Sequence, residues 1–94
     1  MAMRRPEAIP LEEWRSSYWT VQRMIDGRWA VTGTCELCEL KIGVRLKLIR
    51  LAASPAVVLW GRTLACPRWG CQGRMHIEGR PPQMSLWLDI SRSW

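Results

Sequence analysis

Cys35-Glu36-Leu37-Cys38 and Cys66-Pro67-Arg68-Trp69-Gly70-Cys71 are the two stretches on whose reading the fold turns. Each is a close pair of thiols, and residues 39–65 separate the pairs. A tetrahedral Zn²⁺ site needs such a pattern, because each pair fills one edge of the tetrahedron and the intervening chain brings the two edges together. The spacing therefore predicts one structural Zn²⁺ held by Cys35, Cys38, Cys66 and Cys71. A disulfide framework is the competing use of four cysteines, and it needs an oxidising compartment.

The chain has 94 residues, a length that holds one core and leaves no room for a second. Domains of this size bury a limited share of their surface and often rely on a metal or on disulfides. The two arginines near the start are followed by no apolar run of the kind a secretory leader carries, and no stretch approaches a membrane span. The expectation is a cytoplasmic protein that does not engage a membrane, in a reducing setting where paired cysteines serve as metal ligands.

The formal net charge is +6 and the isoelectric point about 9.9, which favours an acidic partner such as nucleic acid. Twelve of the fourteen basic residues are arginine, while phenylalanine and asparagine are absent. A GC-rich coding genome produces that bias without functional cause, so the net charge counts as evidence and the arginine preference does not. Seven tryptophans stand where phenylalanine would otherwise build a core. One domain of this size cannot bury them all, and an exposed tryptophan serves as an interface anchor or a stacking platform for bases.

Outward from the cysteines, Arg28–Thr34 has strand composition and leads into Cys35, and Leu40–Val44 resembles its return strand. Arg62–Ala65 and Gln72–Glu78 bracket the second pair in the same way, with Gly79-Arg80-Pro81-Pro82 as the stop. Between the units, Arg45–Ala53 reads as a short helix ended by Ser54-Pro55, with Arg45, Lys47 and Arg50 on its outer face. The apolar run Ala56–Trp60 is expected to cross the core as an extended segment.

Residues 1–9 show no periodicity and are expected to form an arm. Leu11, Trp14, Tyr18, Val21 and Ile25 recur at spacings of three and four, which predicts one helix from Pro10 to Ile25 ended by a left-handed Gly27. A hairpin turning at Asp26-Gly27 competes with it. Met84, Leu86, Leu88 and Ile90 alternate, so residues 83–94 are expected to dock as an extra strand or cover.

Strand, cysteine turn, strand, spacer, strand, cysteine turn, strand resembles the zinc-ribbon class over residues 29–78. The stretches Leu59-Trp60-Gly61-Arg62, Gly73-Arg74 and Gly79-Arg80-Pro81-Pro82 also look like small uncharacterised ribbon proteins of GC-rich bacteria. The resemblance implies a fold and a metal, and no activity. The fold expected is a small α+β domain over residues 10–94, with ribbon-like antiparallel strands at 28–78, an N-terminal helix and a short helix in the spacer. Its second turn departs from the common Cys-Pro-x-Cys-Gly form by holding four residues between its cysteines.

Four protein ligands leave no coordination position for water or substrate, and the single histidine and scattered carboxylates form no triad, so a noncatalytic module without a small-molecule substrate is expected. His76 is a substitute ligand by residue type, although four cysteines already complete a site. Two partner classes compete. Nucleic acid would meet phosphate contacts from Arg45, Lys47, Arg50, Arg62, Arg68 and Arg74, with Trp69 stacking on a base. A protein partner would dock on the same Trp/Arg surface, making the chain an adaptor or inhibitor.

Overall fold

A computed structural model describes residues 8–91; the remainder of the expected N-terminal arm and Trp94 lie outside the described residues. The described chain is a small α+β fold: three short helices and a curled antiparallel sheet of five strands. Helices α1 (Leu11–Ser17) and α2 (Val21–Asp26) come first, followed by β1 (Ala30–Cys35), β2 (Lys41–Gly43) and α3 (Leu46–Ala52). Strands β3 (Leu64–Ala65), β4 (Arg74–Arg80) and β5 (Leu88–Asp89) complete it.

The expected hairpin around the first cysteine pair is present, with Gly33 opposite Ile42 and Thr34 opposite Lys41. So is the pairing around the second, with Leu64 opposite Met75. What joins the two units is the pairing of β1 with β4 over six residue pairs, from Ala30 opposite Arg80 to Cys35 opposite Met75. Strand β4 is thus the spine of the sheet, with β1 along one edge and β3 and β5 in succession along the other. Its residues alternate between water and core: Met75, Ile77 and Gly79 are buried, while Arg74, His76 and Glu78 face out.

The single helix expected over Pro10–Ile25 is two helices. Tertiary partners at Tyr18–Thr20 outcompete the continuous stripe. Thr20 caps α2 by accepting from the Arg23 amide, and the next two amides, of Val21 and Gln22, donate to the carbonyls of Val57 and Pro55. The Trp60 indole N–H donates to the Tyr18 carbonyl at 2.8 Å, occupying an acceptor that a continuous helix would have used. The apolar run after Pro55 departs from expectation, since it begins and ends in turns with only Leu59 and Trp60 buried, and its Val57 carbonyl serves with that of Pro55 as the seat of α2. The left-handed residue after α2 is Arg28 (φ 57°) rather than Gly27 (φ −82°). Ile9, placed in the arm by sequence, packs against the core.

Two other expectations are corrected. The strand after the second cysteine pair runs through Gly79 and Arg80 instead of stopping there. Gly79 is required inside it because a Cβ would lie 2.4 Å from Ile90 Cδ1 and 3.1 Å from the Trp29 ring. The alternation from Met84 to Ile90 also fails at its second member: Leu86 is exposed, because the chain bends at Ser85–Leu86 before it enters β5, while Leu88 and Ile90 keep the expected phase. Met84 and Ile90 are buried as expected.

The core divides in two. The larger part stacks Trp14, Trp29 and Trp60 edge-on around Tyr18, Val21 and Met24, and is closed by Ile77 and Ile90. The smaller part consists of Cys35, Cys66 and Met75, with Leu40, Ile42 and Leu64 packed around them. Three of the seven tryptophans are therefore core, which accounts for the missing phenylalanines, while Trp19, Trp69 and Trp87 reach the surface.

Candidate metal centre

Strand β1 delivers Cys35 to the end of the sheet, and β4 leads away from the second cysteine pair directly opposite it. The two cysteine turns close alike. In the first, the Cys35 amide donates to the Leu40 carbonyl at 2.8 Å; in the second, the Cys66 amide donates to the Gly73 carbonyl at 3.0 Å. In each turn the acceptor lies two residues past the second cysteine, so the extra length of the second turn is absorbed inside it. Gly70 absorbs it with a φ of +79°, beside a bond from the Cys71 amide to the Arg68 carbonyl. In the first turn the left-handed residue is Glu39 (φ 61°), one position past Cys38. A bond from the Glu36 amide to the Arg74 carbonyl ties the turns together.

This arrangement brings all four sulfurs within 4.8 Å of one another. Across the two turns, Cys35 Sγ lies 3.7 Å from Cys71 Sγ, and Cys38 Sγ lies 3.6 Å from Cys66 Sγ. Four thiolates at the ordinary Zn–S distance of about 2.3 Å in a tetrahedron stand about 3.8 Å apart, so these separations suit a metal. A disulfide would place two sulfurs at about 2.05 Å, and the four cysteines are free thiols.

Backbone N–H groups are aimed at the sulfurs. Leu37 and Cys38 both donate to Cys35 Sγ at 3.4 Å, and Gly73 donates to Cys71 Sγ at 3.4 Å. Such donors offset the negative charge of clustered thiolates. Without metal, Cys38, Cys66 and Cys71 are shifted in opposite directions. The Leu40 amide, with help from the neighbouring sulfurs, holds the Cys38 thiol down to about 6. At Cys66 the Arg68 amide acts downward, but desolvation and the three surrounding sulfurs prevail and push the thiol up to about 12. Cys71 is raised as well, its Gly73 amide opposed by desolvation and by Cys38 and Cys35. Part of the cluster is thus ready as thiolate, and a bound cation supplies what is needed to deprotonate the rest.

Gly73 is the residue that sequence reading undervalued. A Cβ there would stand 2.5 Å from Cys35 Sγ and 2.7 Å from Leu37 Cβ, so the site closes only because position 73 has no side chain. Its place two residues after Cys71 was the available signal.

His76 is outside the cluster. Its Nε2 lies 2.7 Å from Glu36 Oε2 in a solvent-exposed pair between β4 and the first cysteine turn.

The basic residues named from sequence differ in their surroundings. Arg68 and Trp69 sit on the second cysteine turn, and Trp69 is 97 % exposed. Arg45 and Lys47 are exposed at the start of α3, where Arg45 and Pro67 line a common apolar groove with Ile42, Leu64 and Met75. Arg50 is partly buried and donates to Gln22 Oε1, and Arg74 is folded onto Thr63 through two hydrogen bonds. Arg62 is exposed beyond Gly61. The outer face of α3 is also less basic than expected, because Leu48 and Leu51 are exposed on it, Leu51 by 84 %.

No described helix is long and apolar enough to cross a membrane. Comparison with protein-family models, with curated proteins and with solved structures gives no match. The assignment therefore rests on the chain's own geometry: four cysteines from two turns of one sheet form a site that can hold a metal ion.

Proposed function

We propose that the chain is a noncatalytic, zinc-ribbon-like module of the cytoplasm, folding as one domain over residues 10–94 around a single structural Zn²⁺. Zinc is favoured over other metals by the donor set, since four thiolates in a compact tetrahedral arrangement suit it and its closed shell imposes no other geometry. With all four positions taken by protein there is none left for substrate, which separates a structural centre from a catalytic one.

For the partner, nucleic acid is the best-supported reading, and Trp69 carries it. The side chain stands in water between two ligands of the metal cluster, held there by Gly70 and packed against nothing that the fold needs. An indole so placed offers a face on which an unpaired base can stack, with Arg68 beside it in sequence for the phosphate and Arg45 on the groove that begins at neighbouring Pro67. Lys47, Arg62 and the net charge of +6 add to the long-range attraction. Arg50 and Arg74 are engaged within the fold and are assigned no contact.

Zinc-loaded protein titrated with a short single-stranded oligonucleotide tests this reading. Affinity should fall steeply with added salt, and Trp69→Ala should weaken it by about 1–3 kcal/mol, the usual range for one stacked base. Binding insensitive to salt and to Trp69 would refute it.

A protein partner is the second reading, and the exposed Leu48 and Leu51 favour it, since phosphate has no use for a leucine face. Retention of one stoichiometric protein after nuclease treatment, lost in Leu51→Ser, would decide for it.

A further inference from the structure

The turn from α2 into β1 and the start of α3 border an open cavity of about 620 Å³, which adjoins through Val44, Arg45 and Leu48 the groove leading to Met75. Ile25, Trp29, Val44, Leu46 and Leu48 make its walls, and Arg28, Arg45 and Lys47 stand around them. Its apolar lining, its size and its charge together make it a candidate ligand site. Its volume falls within the range of about 300–1,000 Å³ usual for small-molecule sites. Its charge is of one sign: no acidic residue lines it, and among the described residues none of the three cations has an ion-pair partner. Three like charges gathered without a counter-ion repel one another, and an anion seated among them would relieve that repulsion.

We propose that this cavity binds a small amphipathic carboxylate, its apolar body against Trp29, Leu46 and Val44 and its head group among Arg28, Arg45 and Lys47. Apolar walls without the cations would take a neutral hydrophobe, and the cations without the walls would take inorganic anions. Their combination selects a ligand that has both parts. Arg28 is fixed for this role by its backbone, since the left-handed turn that it occupies aims the chain from α2 into β1 at the cavity's edge.

Octanoate, titrated calorimetrically into the zinc-loaded protein with 1-octanol as the neutral counterpart, tests the proposal. One saturable site is expected, at least tenfold tighter for octanoate than for octanol. The double variant Arg45→Gln/Lys47→Gln should weaken octanoate at least tenfold while leaving octanol unchanged. Amide chemical-shift changes should gather at residues 25–29 and 44–48, and Trp69→Ala should have no effect, which keeps this outcome separate from that of the nucleic-acid reading. No saturable binding at millimolar octanoate would overturn the proposal, as would equal binding of octanol or shift changes centred elsewhere. The octanol arm retains its meaning even where the double variant is destabilised.

Discussion

Among single residues, Gly73 shows how closely the metal site depends on one missing methyl group. Alanine there would press its Cβ against Cys35 Sγ and Leu37 Cβ, neither of which can yield without moving a ligand or the turn that carries it. Gly73→Ala is expected to weaken zinc binding by about 10–100-fold, the range found when groups that orient metal ligands are disturbed. Competition with a chelator of known affinity measures it. Gly43→Ala is the control, because nothing lies within 4 Å of the added carbon and stability should stay within about 0.5 kcal/mol. The gathering of Cys35, Cys38, Cys66 and Cys71 was legible from spacing alone: two close thiol pairs have few other uses. The fate of the arginines was not, because a sequence does not show that Arg50 reaches Gln22 or that Arg74 folds onto Thr63.

The secondary elements were legible where the signal was local. Strands running into and out of each cysteine turn, and a leucine-rich helix between them, follow from composition and punctuation, and they appear as β1 to β4 and α3. The break between α1 and α2 was hidden because its cause is remote. The Val57 and Pro55 carbonyls seat the start of α2, and the Trp60 indole takes the carbonyl of Tyr18. Leu86 escaped for a related reason, since the bend at Ser85–Leu86 leaves no mark on the apolar pattern. The local half of the α2 cap can be tested directly. Thr20→Ala removes the side-chain acceptor for the Arg23 amide and is expected to cost about 1 kcal/mol, about 4–8 °C in the melting temperature of a domain this size. Thermal unfolding of the zinc-loaded protein reads it, with zinc stoichiometry unchanged.

For the molecule as a whole, two hairpin-like units became one sheet through β1 and β4, a pairing for which no short stretch of sequence supplies the register. That pairing places Cys35 beside the second turn and so builds the metal centre, while the tryptophan core occupies the other part of the fold. A zinc ion held there would tie sheet and thiol cluster together, since in small zinc modules the metal's binding free energy, of order 10 kcal/mol, is largely folding free energy. The most direct test is metal and thiol analysis of the protein purified under reducing conditions, followed by chelation. One zinc per chain, four thiols titratable only after the metal is withdrawn, and loss of the cooperative unfolding transition on chelation are expected. A metal-free, stably folded chain whose four cysteines are joined in two disulfides would contradict it.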